Sequence, residues 1–455
     1  MIVLDWSKFP DLAAIALLTC AFASVARRGQ TPLSRLWLTG WILIAVHFAA
    51  FMCLDYRGIA GTIAADIGLA ALVDAGVLFM YASLPDRDGL SSKLLLLSLL
   101  GTNTLYTCLV NASPAADWAL TPVAVLIGVL PLGISLANLD LVKSRLRWVT
   151  VALYSLLAAF LLLVQHQPGN GLSLALNGVL FTVYFGCCLH VWSSLRRATG
   201  GALITIAGFF AWAAVFLVGP LLDAFAPNAR IDSEVWNLPK YVVAVGMILL
   251  LLEEQLEHNK YLALHDELTG LPNRRLFQDR LTVALERARR ARSKVAVLVV
   301  DLDHFKQVND TLGHHAGDQL LQLVSAIFVS RIRNSDTVAR TGGDEFSVIL
   351  EETADRSAAT GVAQSLLRYL NSPLQIQNKT VWVGASIGVA LFPDDADDME
   401  SLCIAADLRM YTEKNDAGGF REVSSTESSR KIRPHSDVEG GLQVDFRVTP
   451  ERSRA

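Results

Sequence analysis

The sequence predicts two unlike parts, an N-terminal all-α polytopic membrane domain and a smaller C-terminal α/β domain. Three observations carry this. The 455-residue chain is 52% hydrophobic and 18% charged, and nearly all of the apolar excess lies before about residue 253. Long apolar stretches recur through that half, separated by polar connections. Beyond it the charged residues gather, and short strand-like runs alternate with helical ones.

The apolar stretches fall near residues 10–26, 36–54, 62–83, 94–111, 118–138, 148–164, 172–192, 201–224 and 238–252. Each is long enough to cross the ~30 Å hydrocarbon core of a bilayer, so roughly nine spans are expected. The first is not built as a cleavable signal. Only Lys8 is basic ahead of it, and Arg27-Arg28 follow its apolar run, the reverse of the signal order.

Orientation follows from the connections. Arg27, Arg28, Arg35, Arg87, Lys93, Lys143, Arg145, Arg147, Arg196 and Arg197 occupy alternate ones, whereas Lys8, Arg57, Arg230 and Lys240 occupy the others. The richer set belongs in the cytoplasm, which places everything after Leu252 there. Lipid is the first expected partner. The net charge of −4 and the lack of a long basic run give no reason to expect a nucleic acid.

Within the spans, Asp66 and Asp74 are eight residues apart and share one broad helix face. They either line a ligand or ion site, with His47, Asn103, Asn138 or His190, or hydrogen-bond to a neighbouring helix; both readings stay open. Of six cysteines (Cys20, Cys53, Cys108, Cys187, Cys188, Cys403), none forms a CxxC pair, and five lie in apolar stretches, so no disulfide framework is expected. Cys187, Cys188 and His190 read as core rather than metal ligands, because adjacent helical side chains diverge by ~100°.

After the last span no Pro or Gly interrupts Leu252 to Leu262, so the helix is expected to continue as a stiff linker. Leu252, Leu256, Asn259 and Ala263 approximate a heptad seam too short to separate a dimer contact from a plain surface helix.

The C-terminal half carries the chemistry. Val295 to Val300 is a continuous apolar run, as in a strand buried on both faces, and it ends on Asp301-Leu302-Asp303. Carboxylates thus stand at a strand's C-terminal end, where open α/β sheets bind ligands. His304-Phe305-Lys306, Asn309 and Asp310 follow. The stretch from Gly313 to Asp318 reads as a turn leading into a helix from Gln319.

Thr337 to Arg340 and Phe346 to Leu350 are strand-like, joined by Thr341-Gly342-Gly343-Asp344-Glu345, a hairpin signature. If this hairpin neighbours the first strand, Asp344 meets Asp301 over a divalent cation. Hard oxygen ligands beside phosphates favour Mg²⁺ or Mn²⁺ over zinc. Taken together, these pieces point to metal-assisted phosphoryl or nucleotidyl transfer.

Over roughly residues 262–422 the sequence resembles the GGDEF family of diguanylate cyclases. The resemblance rests on His265 to Arg275, Asp301 to Asp310, Gly313 to Asp318, the Gly342-Gly343-Asp344-Glu345-Phe346 signature, Ser386 to Ala390, and Ala406-Asp407 through Tyr411 and Lys414, all in the family's order. It implies a central, mostly antiparallel sheet flanked by helices, similar to adenylyl cyclase and polymerase palm domains. It also implies a homodimer in which each subunit binds one GTP, condensing two GTP to cyclic di-GMP and two pyrophosphates.

By position the resemblance makes Asp301, Asp344 and the Leu302 carbonyl metal ligands. Asn309, His314 and Asp318 would bind guanine, and Phe305, Lys306 and Lys414 the phosphates. Asp344 or Glu345 would assist deprotonation of the 3′-hydroxyl, Asp344 being the first choice. Arg333 and Asp336 match the family's RxxD site, where cyclic di-GMP feeds back.

One departure stands out. After Lys414 the family's Gly-Arg-Asn-like ending is replaced by Asn415-Asp416-Ala417-Gly418-Gly419-Phe420, with Arg421 as a shifted substitute. The expected organisation is a membrane-spanning sensor over 1–252, a helical linker over 253–264, the GGDEF domain over 265–422 and a disordered tail over 423–455, in a bacterial inner membrane. Two rivals are a GGDEF module that binds GTP or cyclic di-GMP without turnover, and a transporter regulated by its cyclase.

Overall fold

The computed structural model describes residues 5–29, 32–53, 59–84, 89–112, 117–137, 145–194, 198–226, 233–353, 355–377 and 379–417. The chain divides into two units, Met1–Ala263 and Leu264–Ala455. Asn138, most of the basic connections (Arg57, Arg87, Lys143, Arg196, Arg197, Arg230), Arg421 and the tail lie outside the described residues.

In the first unit the described helices are α1 (Phe9–Gly29), α2 (Pro32–Phe51), α3 (Ile59–Ala82), α4 (Leu90–Ala112), α5 (Asp117–Ala137), α6 (Arg145–Val164), α7 (Gly171–Ser194), α8 (Gly200–Phe225) and α9 (Ser233–Leu264). Among the described residues, nine helices are long and apolar enough to cross a membrane. Their outward faces carry Leu17, Leu97, Leu156, Leu163 and Phe225 exposed, a surface suited to lipid rather than water. The interior is aromatic, with Tyr184 stacked on Trp212 at 3.9 Å between ring centroids.

The structure favours the hydrogen-bonding reading of the two span aspartates. Asn111 donates to Asp66 at 2.8 Å and Thr104 donates to Asp74 at 2.8 Å, so α4 holds both carboxylates of α3. Cys187 donates its thiol to the Gly76 carbonyl and is fully buried, in keeping with a core role. Helix α9 does run on past the last apolar stretch, ending at Leu264.

The second unit is a sheet between two helical layers. Its helices are α10 (Arg274–Ala291), α11 (Phe305–Leu312), α12 (His314–Arg331), α13 (Arg356–Leu370) and α14 (Met399–Ala417). Strands β1 (Lys294–Leu302), β2 (Thr337–Arg340), β3 (Glu345–Thr353) and β6 (Ala385–Phe392) form a sheet in the order β2-β3-β1-β6. Strands β4 (Leu374–Ile376) and β5 (Lys379–Val381) make a separate hairpin. Every pairing between these strands is antiparallel, and an isolated parallel bridge joins Asn273 to Arg340.

Side-chain alternation along β1 assigns its two faces. Ala296, Leu298, Val300 and Leu302 join the core under α12 and α13, whereas Val295 and Val297 join the core under α10 and α14. Asp301 has the parity of Val295 and Val297, so it faces the α14 side.

Candidate active site

The site forms where β1 ends. Asp301 pairs in register with Glu345 on β3 and with Ser386 on β6, and residues directly opposite one another share a face. Glu345 is therefore the direct neighbour across the strand, while Asp344 is held one step further along by the Leu302 amide, which donates to the Asp344 carbonyl at 3.2 Å. The signature turn is fixed at β1's end as the sequence spacing requires. Asp301 is nearly buried, Asp344 half-buried and Glu345 exposed.

Helix α14 supplies the cation. A Cβ at Gly388 of β6 would run into the Ala406 carbonyl and the Met410 amide, so only glycine lets α14 lie with its backbone directly on the sheet. That contact sets the last turns of α14 over the carboxylates, and Lys414 donates to Asp301 at 2.6 Å. The hydrogen bond that Lys414 donates to Asp301 raises Lys414 above the ordinary ammonium value; burial opposes this, and the charges of Asp301, Asp303 and Asp344 add to it. Lys414 thus bonds to Asp301 and feels the negative charge of Asp303 and Asp344 as well.

Asp303, which sequence reasoning gave no role, is anchored by the Ser386 hydroxyl at 3.0 Å, while its own amide donates to the Gly384 carbonyl at 2.9 Å. Among the described residues no three His, Cys, Asp or Glu side chains stand close enough to hold a metal ion. Two carboxylates with main-chain and phosphate oxygens are the usual protein share of a Mg²⁺ shell, and Asp301 with Asp344 fits that donor set.

Helix α11 starts at Phe305, after His304 in a left-handed conformation with no side-chain cap. Its first amides, at Phe305 and Lys306, therefore point to a place suited to phosphate. The sequence reading of Gly313 to Asp318 as a turn is corrected. Only Gly313 separates α11 from α12, which begins at His314, so Asp318 lies in the second turn of α12. The reason is Gly313, whose single left-handed step suffices to turn the chain.

His314 and Asp318 are spaced by four residues and both exposed, on one face of α12. Asn309 meets α12 at Gly317, where an added Cβ would overlap the Asn309 side-chain oxygen. The structure thereby brings Asn309, His314 and Asp318 to one corner. Gly317→Ala is expected to push Asn309 aside and raise the KM for GTP about tenfold with the fold retained, which steady-state kinetics and thermal melting together check.

Arg333 and Asp336 stand at the opposite end of α12. Asp336 accepts from the Arg333 amide and the Glu351 amide, both at 3.2 Å, while the Arg333 side chain is exposed. The carboxylate shapes the turn and leaves the guanidinium outward.

Sequence reasoning missed Arg340. Its guanidinium donates to the Gly343 carbonyl at 2.7 and 3.1 Å and to both Asp266 oxygens at 2.9 and 3.1 Å. It clamps the glycine turn to the segment preceding α10. Burial pushes Asp266 up, but hydrogen bonds from Thr269 and Arg340 outweigh it and hold the carboxyl below its ordinary range. The available signal was an arginine placed directly before the Thr-Gly-Gly turn.

Beyond Lys414, helix α14 continues to Ala417, so Asn415 and Asp416 extend the helix.

Residues 263–419 match the profile of the family described as diguanylate cyclase, GGDEF domain. The bifunctional diguanylate cyclase/cyclic di-GMP phosphodiesterase MucR of Pseudomonas aeruginosa is 32% identical over 354 residues, 68% of this chain and 51% of that protein. Only 192 residues follow Ala263, so that likeness reaches back into the apolar unit. The diguanylate cyclase TpbB of the same organism is 38% identical over 176 residues, 38% of this chain and 40% of that protein. The chain spans about half the length, or less, of these curated relatives. Among solved structures, the GGDEF domain of TpbB is 41% identical, covering 33% of this chain and 89% of that one at a TM-score of 0.33. The coiled coil and GGDEF domain of DgcB from Caulobacter crescentus, in complex with c-di-GMP, is 26% identical, covering 40% and 95% at a TM-score of 0.37.

Proposed function

With residues 263–419 a member of the GGDEF domain family, we propose that the chain is a membrane-bound diguanylate cyclase that condenses two GTP to cyclic di-GMP. The observation that carries this is the convergence of Asp301, Asp344 and Lys414 at the end of β1. In each of two facing subunits, the 3′-oxygen of one GTP attacks the α-phosphorus of the other. A new P–O bond forms there, the bond to the bridging oxygen breaks, and pyrophosphate leaves. Asp344, with Glu345 beside it, takes the 3′-hydroxyl proton.

Asn309 and Asp318 select guanine, since carboxylate and amide oxygens accept from its ring N–H and exocyclic amine; His314 borders the same corner. Phosphates lie against the α11 amides of Phe305 and Lys306, and Lys414 turns from Asp301 toward them. Asp301, Asp344 and the Leu302 carbonyl would hold Mg²⁺ or Mn²⁺, which when bound neutralises phosphate charge.

The alternating basic connections support a cytoplasmic catalytic unit in a bacterial inner membrane, with the nine apolar helices as sensor and the end of α9 as linker. A reporter fused after Asn228 that proved cytoplasmic would refute this topology. Incubating the detergent-purified protein with GTP and Mg²⁺ and finding cyclic di-GMP by mass tests the activity. Absence of product from the wild type and from Arg333→Ala alike would sink it. Product bound at exposed Arg333 explains feedback through phosphate or guanine contacts. Arg333→Ala is expected to raise the final product level several-fold while leaving the initial rate unchanged.

A further inference from the structure

We propose that Arg147, Ser91 and Ser92 form a binding site for a phosphate oxyanion at the membrane edge, filled by the headgroup of an anionic phospholipid. Arg147 lies in the first turn of α6 and Ser91 and Ser92 in the first turn of α4. Its Nη2 donates to the Ser91 hydroxyl at 3.2 Å and to the Ser92 hydroxyl at 3.1 Å. Among the described residues, Nη1 of the same guanidinium has no hydrogen-bond partner, although Arg147 is only 5% exposed and the serines 3% and 2%.

Among the described residues this donor set lacks its acceptor. Each serine oxygen already receives from Arg147 and keeps its own proton to donate, and Nη1 adds two more N–H groups. Neither α4 nor α6 has an acidic residue in its first turn, where a carboxylate would ordinarily offset the positive helix end. Among the described residues no carboxylate lies within ion-pair distance of Arg147. A buried guanidinium beside two helix N-termini calls for an anion, and three sets of donors suit the oxygens of a phosphate.

Depth favours a lipid as the source. Both helices begin where their apolar stretches begin, which sets their first turns at headgroup level, on the side with the richer basic connections. Exposed Lys93 follows Ser92 and adds to the attraction.

The test uses the full-length protein, purified in detergent and examined by native mass spectrometry with phosphatidylglycerol, with the phosphate-free lipid diacylglycerol, and with excess inorganic phosphate. Wild type is expected to retain phosphatidylglycerol and not diacylglycerol. S91A/S92A should weaken retention about tenfold, R147Q should abolish it and R147K should keep part. Retention that survives excess inorganic phosphate supports the lipid source; displacement by phosphate supports the same oxyanion site but overturns the lipid. Asp86 and Asp88 lie in the connection outside the described residues. No retention by wild type, equal retention by wild type, R147Q and S91A/S92A, or binding that arises only in D86N/D88N, would overturn the proposal.

Discussion

Asp344→Ala is expected to lower cyclic di-GMP formation by about a thousandfold or more, the scale of losing a positioned proton acceptor that also carries charge at the reacting centre. The loss should fall on turnover rather than on folding. Asp344 is half-buried, its turn is held by its main-chain carbonyl, and that carbonyl survives the substitution. Product quantified by mass, beside a thermal melt within a degree or so of wild type, would bear this out. A fully active variant would remove Asp344 from both the metal and the proton role. Glu345→Ala offers a comparison, since Glu345 shares a face with Asp301 but is exposed; a larger defect there than in Asp344→Ala would exchange the two assignments.

Arg340→Ala should be the most damaging change away from the reacting groups. It leaves Asp266 without its cation and releases the Gly343 carbonyl, so the signature turn loses its clamp. Breaking a buried ion pair costs about 3–5 kcal/mol. The side chains of Arg340 and Asp266 are 13% and 24% exposed, and solvent screening brings the expected cost to about 2 kcal/mol. Activity should fall with it, and unchanged melting together with unchanged turnover would refute the clamp.

The same pair has a pH signature. The Asp266 carboxyl is held below its ordinary value in the folded chain. Its contribution is complete above the unfolded carboxylate value, about 3.9, and is lost as pH falls through the lower folded value. The melting difference between wild type and Arg340→Ala should therefore be constant near neutrality and shrink only in acid below about pH 4. A difference that shrank between about pH 6 and pH 8 would assign the effect to another group.

Some of this was legible in sequence because it is local. Nine apolar stretches appear as nine helices among the described residues, since length and composition suffice to satisfy backbone hydrogen bonds within each segment. The run from Val295 to Val300 shows itself as a strand covered on both faces, and Gly342-Gly343 as a turn, because periodicity and turn chemistry act between near neighbours. Gly313 to Asp318 was misread as a longer turn, because one left-handed glycine does the work expected of six residues.

By itself, then, the sequence determined which residue types stand at the end of β1 and in the signature turn, and that the preceding half is apolar enough for lipid. Tertiary structure alone decided their partners. Lys414 reaches Asp301 across 113 residues because Gly388 lets α14 lie on the sheet, and Arg340 reaches Asp266 across 74 because its strand bridges to Asn273 and its amide donates to the Pro272 carbonyl. Arg147 meets Ser91 and Ser92 because the first turns of two separate helices are brought side by side. Such pairings depend on which faces pack together, a property of the whole fold that no local pattern of residues encodes.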